Sequence, residues 1–212
     1  MIINNPKKNI LKKIKAALAK PVPMPFIETV EQNIFPSPQQ PLEIEFAENF
    51  SKLQGRFSFC TNEQELVEQL NTLIETRKWT NIFCSEIPLV NRLSKLSLAL
   101  QSNNLSNCQA AITSCEALVA RTGSLLLSSA VANGRTAGVY TPVHICVAHM
   151  SQLVFDVSDA FDLVKKKYEG KLPSLISFAT GPSRTADIEK TLVVGVHGPK
   201  EVFCFLVDDG KE

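Results

Sequence analysis

The chain has 212 residues, of which 44% are hydrophobic and 20% charged, enough to bury one substantial core with an appendage beside it. A formal net charge of +1 excludes the broadly basic surface on which nucleic-acid backbones bind, so any basic patch has to be local. No apolar run approaches the roughly 20 residues that span a bilayer.

In chain order, residues 4–20 place Ile10, Leu11, Ile14, Ala17 and Leu18 at helical spacing among Lys8, Lys12, Lys13 and Lys15. This predicts a basic amphipathic helix. It either docks on its own domain or a partner subunit, or it lies on a membrane surface or serves as a targeting segment. Prolines at 21, 23, 25, 36, 38 and 41 then predict an extended linker, so residues 1–40 read as helix plus linker and 41–212 as an α/β domain.

Within that domain, 42–54 reads as a helix, "RFSFC" as a strand, and Thr61 as the N-cap of "NEQELVEQLNTLIETR" with acids in its first turn. "NIFCS" is a strand and "PLVNRLSKLSLALQ" a helix. After Ser114 come strands "ALVA", "GSLLLSSA" and "PVHICVAH", the helix "VSDAFDLVKKKYE", and strands "SLISFAT", "TLVVGV" and "VFCFLV". The alternation predicts an α/β fold with a mostly parallel sheet. "HGPK" is short enough to join the last two strands as a hairpin, which predicts a mixed sheet with an antiparallel edge.

Six cysteines without a CxxC pair, four of them in apolar strands, behave as buried thiols rather than ligands or disulfides. No cofactor is expected on this chain alone. With no signal-peptide pattern at the N-terminus, the expected compartment is the cytoplasm.

The densest group of polar chemistry is "TGPSRTADIE". Read as a strand-to-helix junction, it offers the amides of Arg184, Thr185 and Ala186 to a phosphate or carboxylate. Equally, Ser183 or Thr185 merely caps the helix while Asp187 and Glu189 complement its dipole. A nucleophile elbow fails because Thr185 stands where glycine is required. His197 beside Gly198 reads as a turn residue. His144 and His149, an odd number of positions apart, fall on opposite faces of one strand and form no chelating pair. His144 opens its strand and is either a site residue or a satisfied structural histidine.

The order "VARTGSLLL", "GRTAG", "TPVHICVA", "GPSRTADIE", "GVHGP" resembles the lactate utilisation protein C family, single-domain members of the LUD group, from about Phe57 to Asp208. The resemblance implies a three-layer α/β/α domain similar to the sugar-phosphate isomerase and CoA transferase-like fold. It also implies an accessory role in a cytoplasmic system that oxidises L-lactate to pyruvate, with iron–sulfur clusters in cysteine-rich partner subunits. The alternative is a stand-alone isomerase- or transferase-like enzyme, or a binding protein, for a small phosphate, carboxylate or CoA thioester. By position the family pattern implies Gly123, Arg135, Pro142, His144, Gly181, Pro182, Ser183, Thr185, Asp187, Glu189, His197 and Gly198. Arg184 joins them as a ligand-binding candidate, and His144, Asp187 and Glu189 are the acid or base candidates. Arg121 stands where the family usually has Glu; as an added cation for an acidic ligand it is expected near the "GPSRT" loop.

Overall fold

The computed structural model describes residues 6–19, 37–94, 100, 105–131, 134–188 and 191–210. The chain divides into two units, Met1–Ser37 and Pro38–Glu212. The first contains helix α1 (Pro6–Leu18).

The second unit opens with α2 (Leu42–Lys52), β1 (Arg56–Cys60), α3 (Glu63–Arg77), β2 (Ile82–Phe83) and α4 (Ile87–Arg92). Then come β3 (Ala110–Ser114), β4 (Ala117–Val119), β5 (Ser124–Ser128), α5 (Ala137–Tyr140), β6 (Val143–His149), β7 (Leu153–Val154) and α6 (Val157–Lys167). The chain closes with β8 (Ile176–Ala179), β9 (Arg184–Ile188), β10 (Thr191–Val194) and β11 (Glu201–Val207). The cap of α3 falls one residue beyond the expected Thr61. Asn62 accepts from the Glu65 amide at 2.9 Å, and the Glu65 carboxylate reaches back to the amide and hydroxyl of Thr61, both at 2.7 Å.

The central sheet has five strands in the order β1-β11-β6-β3-β2, and every pairing in it is parallel. The expected hairpin of the last two strands is therefore not formed. β11 reads "EVFCFLV" with its last six residues buried, so both faces need cover; the sheet interior supplies it and an edge hairpin does not. β10 pairs antiparallel with β9 instead, as a separate two-stranded ribbon. Antiparallel pairing also occurs in a second sheet, ordered β7-β4-β5-β8.

Alternation along the parallel strands sorts the core into two faces. Val143, Ile145, Val147, Phe203, Phe205 and Val207 pack against Leu66, Leu70 and Ile74 of α3 and Leu89 of α4. Cys146, Ala148, Val202, Cys204 and Leu206 pack against Phe46 and Phe50 of α2 and against Leu118, Leu125 and Leu127 of the second sheet. That sheet's outer residues, Ala117, Val119 and Leu126, meet Ala160 and Val164 of α6. The domain is an α/β fold with a mostly parallel central sheet and helices on both sides. The second sheet, which sequence pattern did not place, stands between that sheet and α6.

Candidate functional site

Parallel strands bring all their carboxyl ends to one edge, and loops there have no ladder to complete. At that edge a cleft of about 860 Å³ is lined by residues that follow every strand of the central sheet: Glu63 after β1, Ser85–Leu89 after β2, Ser114–Cys115 at the end of β3, His149, Ser151 and Gln152 at and after the end of β6, and Asp208–Asp209 after β11. Arg92 of α4 and Lys167 of α6 complete it, with Ala130 and Val131 as apolar wall.

Hydrogen bonds fix most of these groups. Glu86, 7% exposed, receives both the amide (2.9 Å) and the hydroxyl of Ser114. Gln152 donates to the Cys115 carbonyl at 2.6 Å, so its carbonyl oxygen is the end that faces His149, accepting that residue's amide at 2.8 Å and lying 3.2 Å from Nδ1. An oxygen there suits a proton on Nδ1, while Nε2 is in contact with the Arg92 guanidinium. Arg92 also pairs with Glu63, whose carboxylate lies 3.3 Å from the same Nε2.

Two further carboxylates are held ionised. Partial burial pushes the Asp209 carboxyl up, but the amide (3.2 Å) and hydroxyl of Ser151 outweigh it and hold the group below its ordinary range. Glu116, beside the cleft, is likewise raised by burial and lowered further by Lys167 at 2.7 Å, Ser128 at 2.5 Å and Tyr168 at 2.8 Å, ending below its ordinary value. Lys167 is thereby committed to Glu116. Four carboxylates (Glu63, Glu86, Asp208, Asp209) face two cations in the lining, so an anionic ligand has Arg92 as its natural anchor.

The residues that sequence analysis singled out lie mostly elsewhere. "GPSRTADIE" opens no helix: Arg184–Ile188 is strand β9, so the anion site expected at a helix N-terminus does not form there. β-branched Thr185, Ile188, Thr191, Val193 and Val194 favour the ribbon, and the Ser183 amide is taken by the Pro199 carbonyl at 2.9 Å. Gly181, with φ +88, has its α-carbon so near the Leu53 carbonyl that an added Cβ would stand 2.5 Å from that oxygen. Arg184 bonds the same carbonyl at 2.8 Å. Pro182 is buried, and Gly198 packs on Ser183. His197 and Gly198 line a smaller depression of about 440 Å³ with Tyr140, Pro142 and Lys200, at the amino ends of β6 and β11.

Gly123 and Arg135 are separate from this group. Gly123 adopts φ +60 against the backbone of α2, and Arg135 bonds the Ser174 hydroxyl. His144 is fully buried, its Nε2 2.8 Å from Thr113 Oγ1 and its Nδ1 without a partner among the described residues; burial pushes it down to about 4, so it is neutral at pH 7. Asp187 lies in β9, and Glu189 falls outside the described residues. Of the cleft residues, His149 was weighed only as half of a metal pair, and Glu63, Glu86, Arg92, Asp208 and Asp209 were not singled out. The available signal was position: each acid or histidine follows, or ends, a short apolar strand.

Arg121 grips Asp156 through Nε (3.0 Å) and Nη2 (2.9 Å). That carboxylate is the N-cap of α6 and is held below its ordinary value, first by Arg121. The guanidinium thus supports a helix start. Arg121→Glu sets two carboxylates together and is expected to cost about 2 kcal/mol of stability in urea unfolding. Ligand affinity in the cleft should be unchanged.

The six cysteines are buried and free. Burial pushes the thiols of Cys60 and Cys84 up to about 12 and 11, so both are protonated at neutral pH. Among the described residues no group of three or more His, Cys, Asp or Glu side chains is arranged to hold a metal ion, and no helix is long and apolar enough to cross a membrane.

An open parallel sheet with a cleft beyond the strand carboxyl ends defines the class of α/β proteins that seat small molecules at that edge. Comparison with known proteins then gives the family. A family model described as the LUD domain matches residues 44–207, and the chain belongs to that family. It is 33% identical over 140 residues to a "Lactate utilization protein C" of Shouchella clausii, covering 62% of this chain and 61% of that protein. It is 36% identical over 100 residues to the Bacillus subtilis protein of the same name, covering 46% and 42%. The match thus spans less than two thirds of these relatives' length. A crystal structure of a DUF162 family protein from Deinococcus radiodurans shares the fold, with a TM-score of 0.63 at 16% identity, covering 81% of this chain and 99% of that one.

Proposed function

We propose that this chain serves lactate utilisation, as an accessory subunit of a cytoplasmic iron–sulfur system that oxidises L-lactate to pyruvate. LUD membership together with relatives named lactate utilization protein C is the observation that carries this reading. In it the clusters belong to cysteine-rich partner subunits, and this chain contributes a docking surface and the cleft at the strand carboxyl ends. A carboxylate ligand there takes the Arg92 guanidinium in exchange for Glu63, with the His149 imidazole beside it.

The test is capture of the tagged protein from its own cells grown on L-lactate, with dye reduction by L-lactate measured on the eluate. Co-elution of iron–sulfur subunits, with activity that disappears when this chain is removed, supports the reading. Elution of the chain alone, with no lactate-dependent reduction, overturns it.

A second reading is favoured by the oriented His149 itself. Next to a guanidinium in a cleft, such an imidazole suits a stand-alone isomerase- or transferase-like enzyme for a small phosphate, carboxylate or CoA thioester. Purified protein would then turn over substrate with no partner present. In either reading Arg92→Ala removes the cation that a ligand would take over from Glu63, and calorimetric titration should show carboxylate affinity falling at least about tenfold. Unchanged affinity would move the ligand elsewhere.

A further inference from the structure

α1 carries five lysines (Lys7, Lys8, Lys12, Lys13, Lys15) and no acidic residue. None of its thirteen residues is buried, and Ile10, Leu11, Ile14 and Leu18 are between 49% and 75% exposed. At 3.6 residues per turn these four and Ala17 fall within an arc of about 120°. Lys13, Lys15 and Lys8 flank that arc, Lys12 lies opposite it, and Lys7, in the first turn, falls within it.

We propose that α1 is a reversible docking element for an anionic lipid surface, independent of the cleft and its ligand. The charge selects an anionic occupant, and the composition selects lipid over protein. Interfaces between proteins draw their affinity from buried Trp, Tyr and Arg and are depleted in Lys; α1 has none of the first three and is rich in the last. Lysines bordering the apolar arc suit a plane of headgroups. Their stems lie along the acyl boundary while the ammonium groups reach the phosphates, and smeared surface charge meets the lysines on both flanks at once, where a protein groove meets one flank. Thirteen residues rise about 20 Å, too short to span and long enough to lie in the interface.

The experiment uses the full chain in co-sedimentation with vesicles of phosphatidylcholine alone and with about 30% phosphatidylglycerol added. The expected result is at least about tenfold stronger partition onto the anionic vesicles, reversed by raising salt from about 0.05 to about 0.5 M. The triple variant Lys12→Glu, Lys13→Glu, Lys15→Glu should lose that partition, and Ile10→Gln with Ile14→Gln should weaken it at unchanged charge. Both variants touch only exposed side chains, so the thermal transition of residues 38–212 should stay where it is. Equal binding to both vesicle types overturns the proposal, as does charge reversal without effect. Binding to an acidic polypeptide such as polyglutamate with none to anionic vesicles also overturns it and assigns the helix to a protein partner.

Discussion

Between pH 6.5 and pH 4 the domain should lose roughly 3 kcal/mol of stability through His144 alone. In the unfolded chain this imidazole takes up its proton near 6.5; folded, it does so only at about 4, because burial disfavours the charged ring. Within that window the unfolded state binds the extra proton, so each unit of falling pH favours unfolding by up to about 1.4 kcal/mol. Above 6.5 the contribution is fully present, and below about 4 it is spent. The geometry makes the penalty hard to avoid. Nε2 is occupied by Thr113, Nδ1 has no partner among the described residues, and the ring is seated against Gly138, where an added Cβ would stand 3.1 Å from Cε1. His144→Asn keeps a polar group for Thr113 and removes the titration. Urea unfolding at several pH values should therefore show a steep fall for the wild type in this window and a flatter curve for the variant. Equal slopes would place the titration elsewhere. Glu116 adds a further acid limb: its lowered value stabilises the fold above the ordinary carboxylate range and is lost as pH falls through the folded value.

The same histidine shows how far sequence reasoning reaches. "PVHICVAH" is legible as a strand because its apolar run survives any neighbour, and His144 follows as a residue near the strand start. That its face looks into a closed core depends on Thr113 of β3, a strand whose Ala-Ala start carries little β-propensity and passed unread. β11 was read correctly as a strand and wrongly as half of a hairpin. A short "HGPK" loop favours local pairing, whereas burial of both faces favours insertion between β1 and β6, and burial prevailed. In "GPSRTADIE" the Gly-Pro-Ser start and the acids mimic a helix N-terminus, while Thr185 and Ile188, together with the β-branched run of the strand it pairs with, favour a ribbon. The cleft was not read because its parts look ordinary one at a time. Glu63 is a first-turn acid, Asp208 and Asp209 trail the last strand, and His149 was weighed only as half of a metal pair. Only the parallel order of the strands makes them neighbours.

Removing the ring of Phe50 should cost more than any surface change in this domain. Phe50 is fully buried and stacks on Phe46 with centroids 5.4 Å apart and planes 16° from parallel. It is enclosed by glycines. A Cβ on Gly55 would stand 2.4 Å from its ring, and one on Gly123 would stand 2.5 Å from its backbone nitrogen. Neighbouring Asn49 ties the same helix turn to the carbonyls of Ala120 and Arg121 at 3.0 and 3.2 Å. With neighbours this rigid, a cavity left by Phe50→Ala cannot collapse, and the expected loss is about 3–5 kcal/mol. For a domain of this size each kcal/mol lowers the melting temperature by about 2–4 °C, so calorimetry should find the transition roughly 10 °C lower. The face that Phe50 covers is that of Val202, Cys204 and Leu206, alternate residues of the strand that ends at Asp208 and Asp209 in the cleft. Loss of α2 packing should therefore weaken ligand binding as well as stability. A shift under about 3 °C would instead make α2 a surface attachment that the two sheets tolerate losing.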